Sequence, residues 1–142
     1  MTIAAILGNK GREVISITAQ HSVGYAVAVL ATRRVGAVPV MEGNSVVGIF
    51  SERDVIHAIH AHGADAMARS VGDTMTAPPI TVTPSEAVIG ALSLMTRRRI
   101  RHLPVVEGDT VIGFVSIGDL VKYRIDRIEA DAEAMRSYIQ SA

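Results

Sequence analysis

Residues Ile15-Ser16-Ile17-Thr18 alternate apolar and polar side chains, the period of a short half-buried strand. Val23, Ala26, Val27 and Leu30 then recur at i, i+3, i+4 and i+7, one face of a helix, with Ser22 placed to cap its start. Ala37–Met41 and Ser45–Phe50 read as strands, and the intervening Glu42-Gly43-Asn44 asks for a hairpin turn. Ser51 opens a second helix whose natural end is Gly63.

The same order follows again. A displacement of 65 residues, the interval from Asp54 to Asp119, lays Ile15–Val55 on Ile80–Leu120 without a gap. About a third of the paired positions are identical and most of the rest keep their apolar character, which identifies an internal repeat. Val88, Ala91, Leu92 and Met95 repeat the helical stripe; His102–Val106 and Thr110–Val115 repeat the hairpin around Glu107-Gly108-Asp109. The start of this second helix has two readings: Thr83 as cap with Pro84 at the first helical position, or Ser85 as cap. The expected order is β-α-β-β-α, twice, an α/β (α+β) fold.

The final helix outruns its counterpart. Val121, Ile125, Ile128, Ala132, Met135 and Ile139 are spaced by fours and threes among charged residues, a narrow seam of the kind that packs on a second subunit. The expected divisions are a short N-terminal helix and lead-in (1–12), repeat 1 (13–63), a connector (64–78), repeat 2 (79–123) and a C-terminal helical extension (124–142). Gly72, Pro78 and Pro79 mark the irregular parts around the connector.

Composition narrows the function. With 14 basic and 14 acidic residues the chain has no formal net charge, which argues against nucleic acid as a partner. The absence of cysteine removes disulfides, thiol catalysis and cysteine metal sites. No signal-like segment opens the chain and no apolar run is long enough for a bilayer, so a cytoplasmic protein without membrane contact is expected. His57, His60 and His62 lie close together, but a zinc site needs more ligands than they offer, and surface histidines are the reading. Phosphate-binding loops and nucleophile elbows are missing, so no enzyme is expected.

The chemistry concentrates at two strand–helix junctions, Gly48–Asp54 and Gly113–Asp119, where a hydroxyl, a carboxylate and free backbone N–H groups converge. Ser51 with Asp54, and Ser116 with Asp119, have the spacing of a helix capping pair as well as that of a ligand site.

The doubled unit, with Arg101-His102-Leu103-Pro104-Val105 ahead of Gly113–Asp119, and Val38-Pro39-Val40 ahead of Gly48–Asp54, resembles a tandem pair of cystathionine-β-synthase (CBS) domains, a Bateman module. The resemblance spans Glu13–Tyr123; the whole is similar to small stand-alone bacterial CBS-pair proteins, and Met75-Thr76 resembles the linker of that family. It implies two repeats about a pseudo-two-fold axis, with clefts that take AMP, ADP, ATP, NAD(H) or S-adenosylmethionine. It also implies a homodimer that reports energy or redox state to a regulated partner protein in another chain.

Carried over by position, the resemblance makes Asp54 and Asp119 the acceptors of ribose hydroxyls and puts Ser51 and Ser116 at phosphate. Thr18 and Thr83 fall beside ribose or phosphate, with a turn or cap role as the alternative. Val38 and Leu103 fall where backbone reads adenine and side chains sandwich it, with core packing as the alternative. Arg101 and His102 have only Gly36 and Ala37 as counterparts, and Arg53 has Gly118, so the clefts are expected to differ. Asp119, Ser116, Thr83 and Arg101 form the principal expected set, and AMP or NAD(H) the leading ligands. Arg97, Arg98 and Arg99 read as a solvated face.

Overall fold

The computed structural model describes residues 1–141; Ala142, the end of the expected extension, lies outside the described residues. Repeat 1 comprises α2 (Val23–Arg33), the hairpin β1 (Ala37–Glu42) and β2 (Ser45–Ser51), and α3 (Glu52–His62), with α1 (Ile3–Lys10) ahead of it. A 3₁₀ segment, Gly63–Ala68, and the four-residue α4 (Val71–Thr74) form the connector. Repeat 2 comprises α5 (Val88–Arg98), β3 (His102–Glu107), β4 (Thr110–Ser116) and α6 (Ile117–Ser141). Among the described residues no helix is long and apolar enough to cross a membrane.

Each sheet is a two-stranded antiparallel hairpin, and the opening strand of each unit shrinks to a single parallel bridge, Ile17 on Val40 and Val82 on Val105. Proline explains the shrinkage. Ile17 N donates to Pro39 O at 3.2 Å and Met41 N donates to Ile17 O at 2.8 Å. The next bond of that ladder needs an N–H from Pro39, which has none; Pro104 stops the bridge at Val82 in the same way.

The helix starts differ between the repeats. Ser22 caps α2 by accepting from Tyr25 N at 3.1 Å. Neither expected cap serves α5: Thr83 Oγ1 and Ser85 Oγ bond each other at 3.0 Å, and the helix begins later, after Ala87. The Val88 N–H donates to Met1 O at 3.1 Å just as the equivalent Val23 N–H donates to Arg69 O at 2.8 Å, so both helix starts are held by a backbone carbonyl distant in sequence and only the side-chain cap differs.

Each core is completed by the segment that precedes the other repeat. Val71 of α4 is buried with Ile17, Val23, Leu30, Val40 and Phe50 of repeat 1. Ile3, Ile6 and Leu7 of α1 are buried with Val88, Met95, Leu103, Val115 and Leu120 of repeat 2. The backbone repeats the exchange: Val71 N donates to His21 O at 2.8 Å, and Ile3 N donates to Glu86 O at 2.9 Å. Gly48 and Gly113 let these segments close in. A Cβ on Gly48 would stand 2.6 Å from Met75 Sδ, and one on Gly113 would stand 2.6 Å from Leu7 Cδ2. Between repeats, Val111 N donates to Asn44 O and Ser45 Oγ donates to Asp109 O, each at 3.0 Å, tying the two hairpins together.

Candidate functional site

At the mouth of repeat 1, β2 runs directly into α3 through Ser51. The Ser51 N–H donates to Asp54 Oδ2 at 2.8 Å, the Ser51 hydroxyl donates to the same oxygen at 3.1 Å, and Asp54 N donates to Ser51 Oγ at 3.4 Å. This is a closed capping box, and it uses one carboxylate oxygen. The other, Oδ1, accepts from the Thr76 hydroxyl at 2.9 Å. Asp54 is only 8% exposed and is the one buried charged residue among the described residues. A carboxylate has about four acceptor positions, so these three bonds leave it capacity for another donor.

The corresponding carboxylate of repeat 2 is held by a charge. Ser116 N donates to Asp119 Oδ2 at 2.8 Å, and the Lys10 ammonium donates to that oxygen at 2.5 Å and to Phe114 O at 2.6 Å. In repeat 1 the equivalents of these two Lys10 bonds come from Thr76, whose hydroxyl serves Asp54 and whose N–H serves Ile49 O at 2.9 Å. One lysine side chain therefore replaces a backbone amide and a hydroxyl. Burial pushes the Asp119 carboxyl up, but the Lys10 ammonium and the Ser116 N–H outweigh it and hold the group below its ordinary value of 3.8. A carboxyl depressed in the folded state stabilises above its unfolded pKa, and that contribution disappears as pH falls through the folded value. Lys10→Met is accordingly expected to flatten the acid side of the stability profile, by on the order of 1 kcal/mol or less for a partly exposed pair. Thermal melts of both proteins from pH 5 downward check this; parallel profiles would show that Lys10 contributes nothing to the shift.

A cleft of about 410 Å³ opens beside Ser51 and crosses from one repeat to the other. Repeat 1 contributes Gly36, Ala37, Ile49, Ser51, Glu52 and Arg53; the connector contributes Thr76, Pro78 and Pro79; repeat 2 contributes Ile80 and Arg98–His102. Arginines at 53, 98, 99 and 101 face a single acid, Glu52, so the lining is cationic and suited to phosphate or carboxylate oxygens. Ile49, Pro78, Pro79, Ile80 and Ile100 supply apolar walls. The His102 ring stacks on Phe114 at 5.6 Å. A Cβ on Gly36 would lie 3.5 Å from its Cε1, an ordinary van der Waals contact, so Gly36 and the imidazole are neighbours across the cleft. Burial, followed by the Lys10 charge, lowers the His102 pKa below 6.5, so the ring is neutral at pH 7.

The structure thus redistributes the expected residues. Ser51, Arg53, Arg101 and His102 share the cleft, with Asp54 beneath it through Ser51 and Thr76. Asp119, Ser116 and Thr83 do not line it, so the set built around Arg101 within repeat 2 is divided. The reason is the pairing of repeats: the strand edge carrying Arg101 and His102 turns toward the mouth of repeat 1. Val38 and Leu103 are 1% and 0% exposed, and their side chains fill the two cores. Thr18 bonds locally, its N–H donating to His21 Nδ1 at 3.0 Å with its hydroxyl 3.4 Å from the same nitrogen. Arg98 and Arg99 are exposed, as the sequence reads them, and also border the cleft. His57, His60 and His62 are exposed on α3.

Sequence reasoning missed Lys10 and gave Thr76 no role. Lys10 precedes the repeated region, so no internal comparison reaches it; Met75-Thr76 carried only the likeness to a family linker.

The CBS-domain model matches residues 10–61 and 71–126. The CBS domain-containing protein CBSX3, mitochondrial, of Arabidopsis thaliana is 35% identical over 148 residues, an alignment covering 98% of this chain and 72% of that protein. Among solved structures, the CBS-domain containing protein ATU1752 from Agrobacterium tumefaciens is 34% identical with a TM-score of 0.84, covering 87% of this chain and 99% of that one. The CBS domain protein PAE2072 from Pyrobaculum aerophilum, solved complexed with AMP, is 25% identical with a TM-score of 0.74, covering 84% of this chain and 89% of that one.

Proposed function

This chain belongs to the CBS-domain family, and on that premise we propose that it is a non-catalytic, adenine-nucleotide-binding regulatory module. Its ligand site is the cleft between Ser51–Arg53 and Arg98–His102, and AMP or NAD(H) is its ligand in preference to ADP, ATP or S-adenosylmethionine. The observation that carries this reading is the crossing of that cleft: a capped, buried carboxylate from one repeat lies across from a cationic strand edge of the other. A ribose hydroxyl takes over the Oδ1 position of Asp54 now used by Thr76, the phosphate meets Arg101 beside the first turn of α3, and the ring lies on Ile80 and Ile100. The AMP complex of the related Pyrobaculum protein supports the ligand class.

Calorimetric titration against AMP, ADP, ATP, NAD⁺, NADH and S-adenosylmethionine tests the proposal. Heat from at least one of them with a micromolar Kd is expected; silence from all six at millimolar concentration would sink it. The pH dependence is a second test. A phosphate brought beside neutral His102 favours its protonated form, so binding takes up a proton and tightens as pH falls toward the lowered value of the free ring. Affinity for AMP is expected to gain a component that strengthens toward acid pH, and His102→Gln to remove that component, leaving the titration of the phosphate itself; identical pH profiles for the two proteins would refute it.

A further proposal concerns assembly. Ile56 and Ile59 of α3, at 65% and 49% exposed, and the seam of α6 leave apolar side chains in solvent, the mark of an association surface. The chain pairs with a second copy through these helices and signals to a regulated protein through the pair. Were no nucleotide to bind, this assembly surface would be the remaining reading: an oligomerisation module acting through α6.

A further inference from the structure

The charge pattern of α6 points to a parallel, in-register, two-stranded coiled coil between residues 121–139 of two copies, an inference that rests on the pairing proposed above. Beyond Tyr123 every residue of α6 up to Ser141 is exposed, so the helix leaves the body as a free rod. Eighteen helical residues without tertiary contacts extend about 27 Å and are marginal in water by themselves. Their order therefore needs a covering surface.

The helix carries the means for its own cover. Val121, Ile125, Ile128, Ala132, Met135 and Ile139 keep a strict alternation of four and three, the seam of a left-handed two-helix rope. Ile125, Ile128, Met135 and Ile139 are between 49% and 67% exposed. Flanking the seam, Arg124 and Asp131 form one row and Lys122, Glu129 and Arg136 the other. In a parallel rope each residue of the first row meets the residue five further along on the partner helix. Arg124 then meets the partner's Glu129, and Asp131 meets the partner's Arg136: both pairs are attractive. Reversing one helix over the same span sets Glu129 on Glu129, Asp131 on Asp131 and Lys122 on Arg136, three repulsions. Within one chain, Arg124, Glu129 and Asp131 have no ion-pair partner among the described residues. Arg136 reaches only Glu133, at 3.0 Å in an exposed pair that holds it weakly.

The chain has no cysteine, so introduced thiols report geometry directly. Ile125→Cys and Met135→Cys, each in the full chain, are expected to form a disulfide-linked dimer under mild oxidation at least tenfold faster than Ser137→Cys on the outer face. Glu129→Arg is expected to loosen the dimer tenfold or more in sedimentation, and Arg124→Glu added to it to restore the dimer. Cross-linking only in a mixture of Ile125→Cys with Met135→Cys would mean antiparallel helices and overturn the inference. A two-chain mass with no self-cross-linking would overturn the coiled coil while leaving the pairing; a monomer would overturn both, and three or more chains would overturn the two-stranded form.

Discussion

Asp54→Ala is expected to weaken nucleotide binding at least a hundredfold, while Asp119→Ala changes it less than about threefold. The asymmetry follows from which carboxylate sits under the cationic cleft. Hydrogen bonds to a charged acceptor contribute about 1.5–3 kcal/mol each, so losing two of them from Asp54 to ribose hydroxyls reaches a hundredfold. The same substitution also frees Ser51 and Thr76, both of which line the cleft and are held by Asp54. Asp119 instead answers to Lys10 and stands outside the cleft lining. Loss of a capping residue costs about 0.5–2 kcal/mol, so each variant is titrated only after a melt shows it folded. Asp54→Asn, which keeps the shape and one acceptor, is expected to fall between. Equal losses from Asp54→Ala and Asp119→Ala would mean two equivalent clefts and would refute the single-site assignment.

Gly48→Ala is expected to destabilise the protein by about 1–3 kcal/mol, the range for overpacking a filled interior. A Cβ there would lie 2.6 Å from Met75 Sδ and 3.0 Å from the backbone oxygen of Thr76. The methionine can turn aside; the carbonyl cannot, because it accepts from Ile49 N at 2.9 Å and is locked to β2. Moving it displaces Thr76 from the cleft wall, so nucleotide binding falls along with the melting temperature. Gly113→Ala, the same change in repeat 2, meets only the side chain of Leu7, at 2.6 Å and 3.0 Å. There α1 shifts as a unit and the cleft is untouched. Its effect is expected to be smaller by at least 1 kcal/mol, a difference of roughly 2–8 °C in Tm for a domain of this size. Equal melting temperatures for the two alanine variants would show that the backbone contact at Thr76 is not the constraint.

Much of this was legible in the residues. The apolar stripe at Val23, Ala26 and Leu30, the Ser22 cap and the Glu-Gly turns specify local structure through neighbours a few positions apart, and those elements stand where the pattern puts them. Ser51 with Asp54 forms a true capping box for the same reason: both partners belong to one helical turn. Reading failed where a local signal competed with a distant one. Thr83 and Ser85 look like caps, yet α5 starts after Ala87, the counterpart of Ser22, where Met1 O accepts from Val88 as Arg69 O accepts from Val23. The strand at Ile15–Thr18 has the right alternation, but its length was decided by the missing N–H of Pro39 on the chain beside it.

By itself, the sequence determined the duplicated unit, the two hairpins, the helices with most of their boundaries, and the chemistry available at Ser51, Asp54, Arg101, Ser116 and Asp119. All of these depend on short-range periodicity or on comparing the chain with itself. Only the tertiary structure decided which of those groups meet. Arg101 and His102 face the mouth of repeat 1, Thr76 locks Asp54, and Lys10 crosses 109 positions to hold Asp119. Pairings at that separation are set by how two cores exchange α1 and α4, a matter of packing shape that leaves no period in the sequence to read.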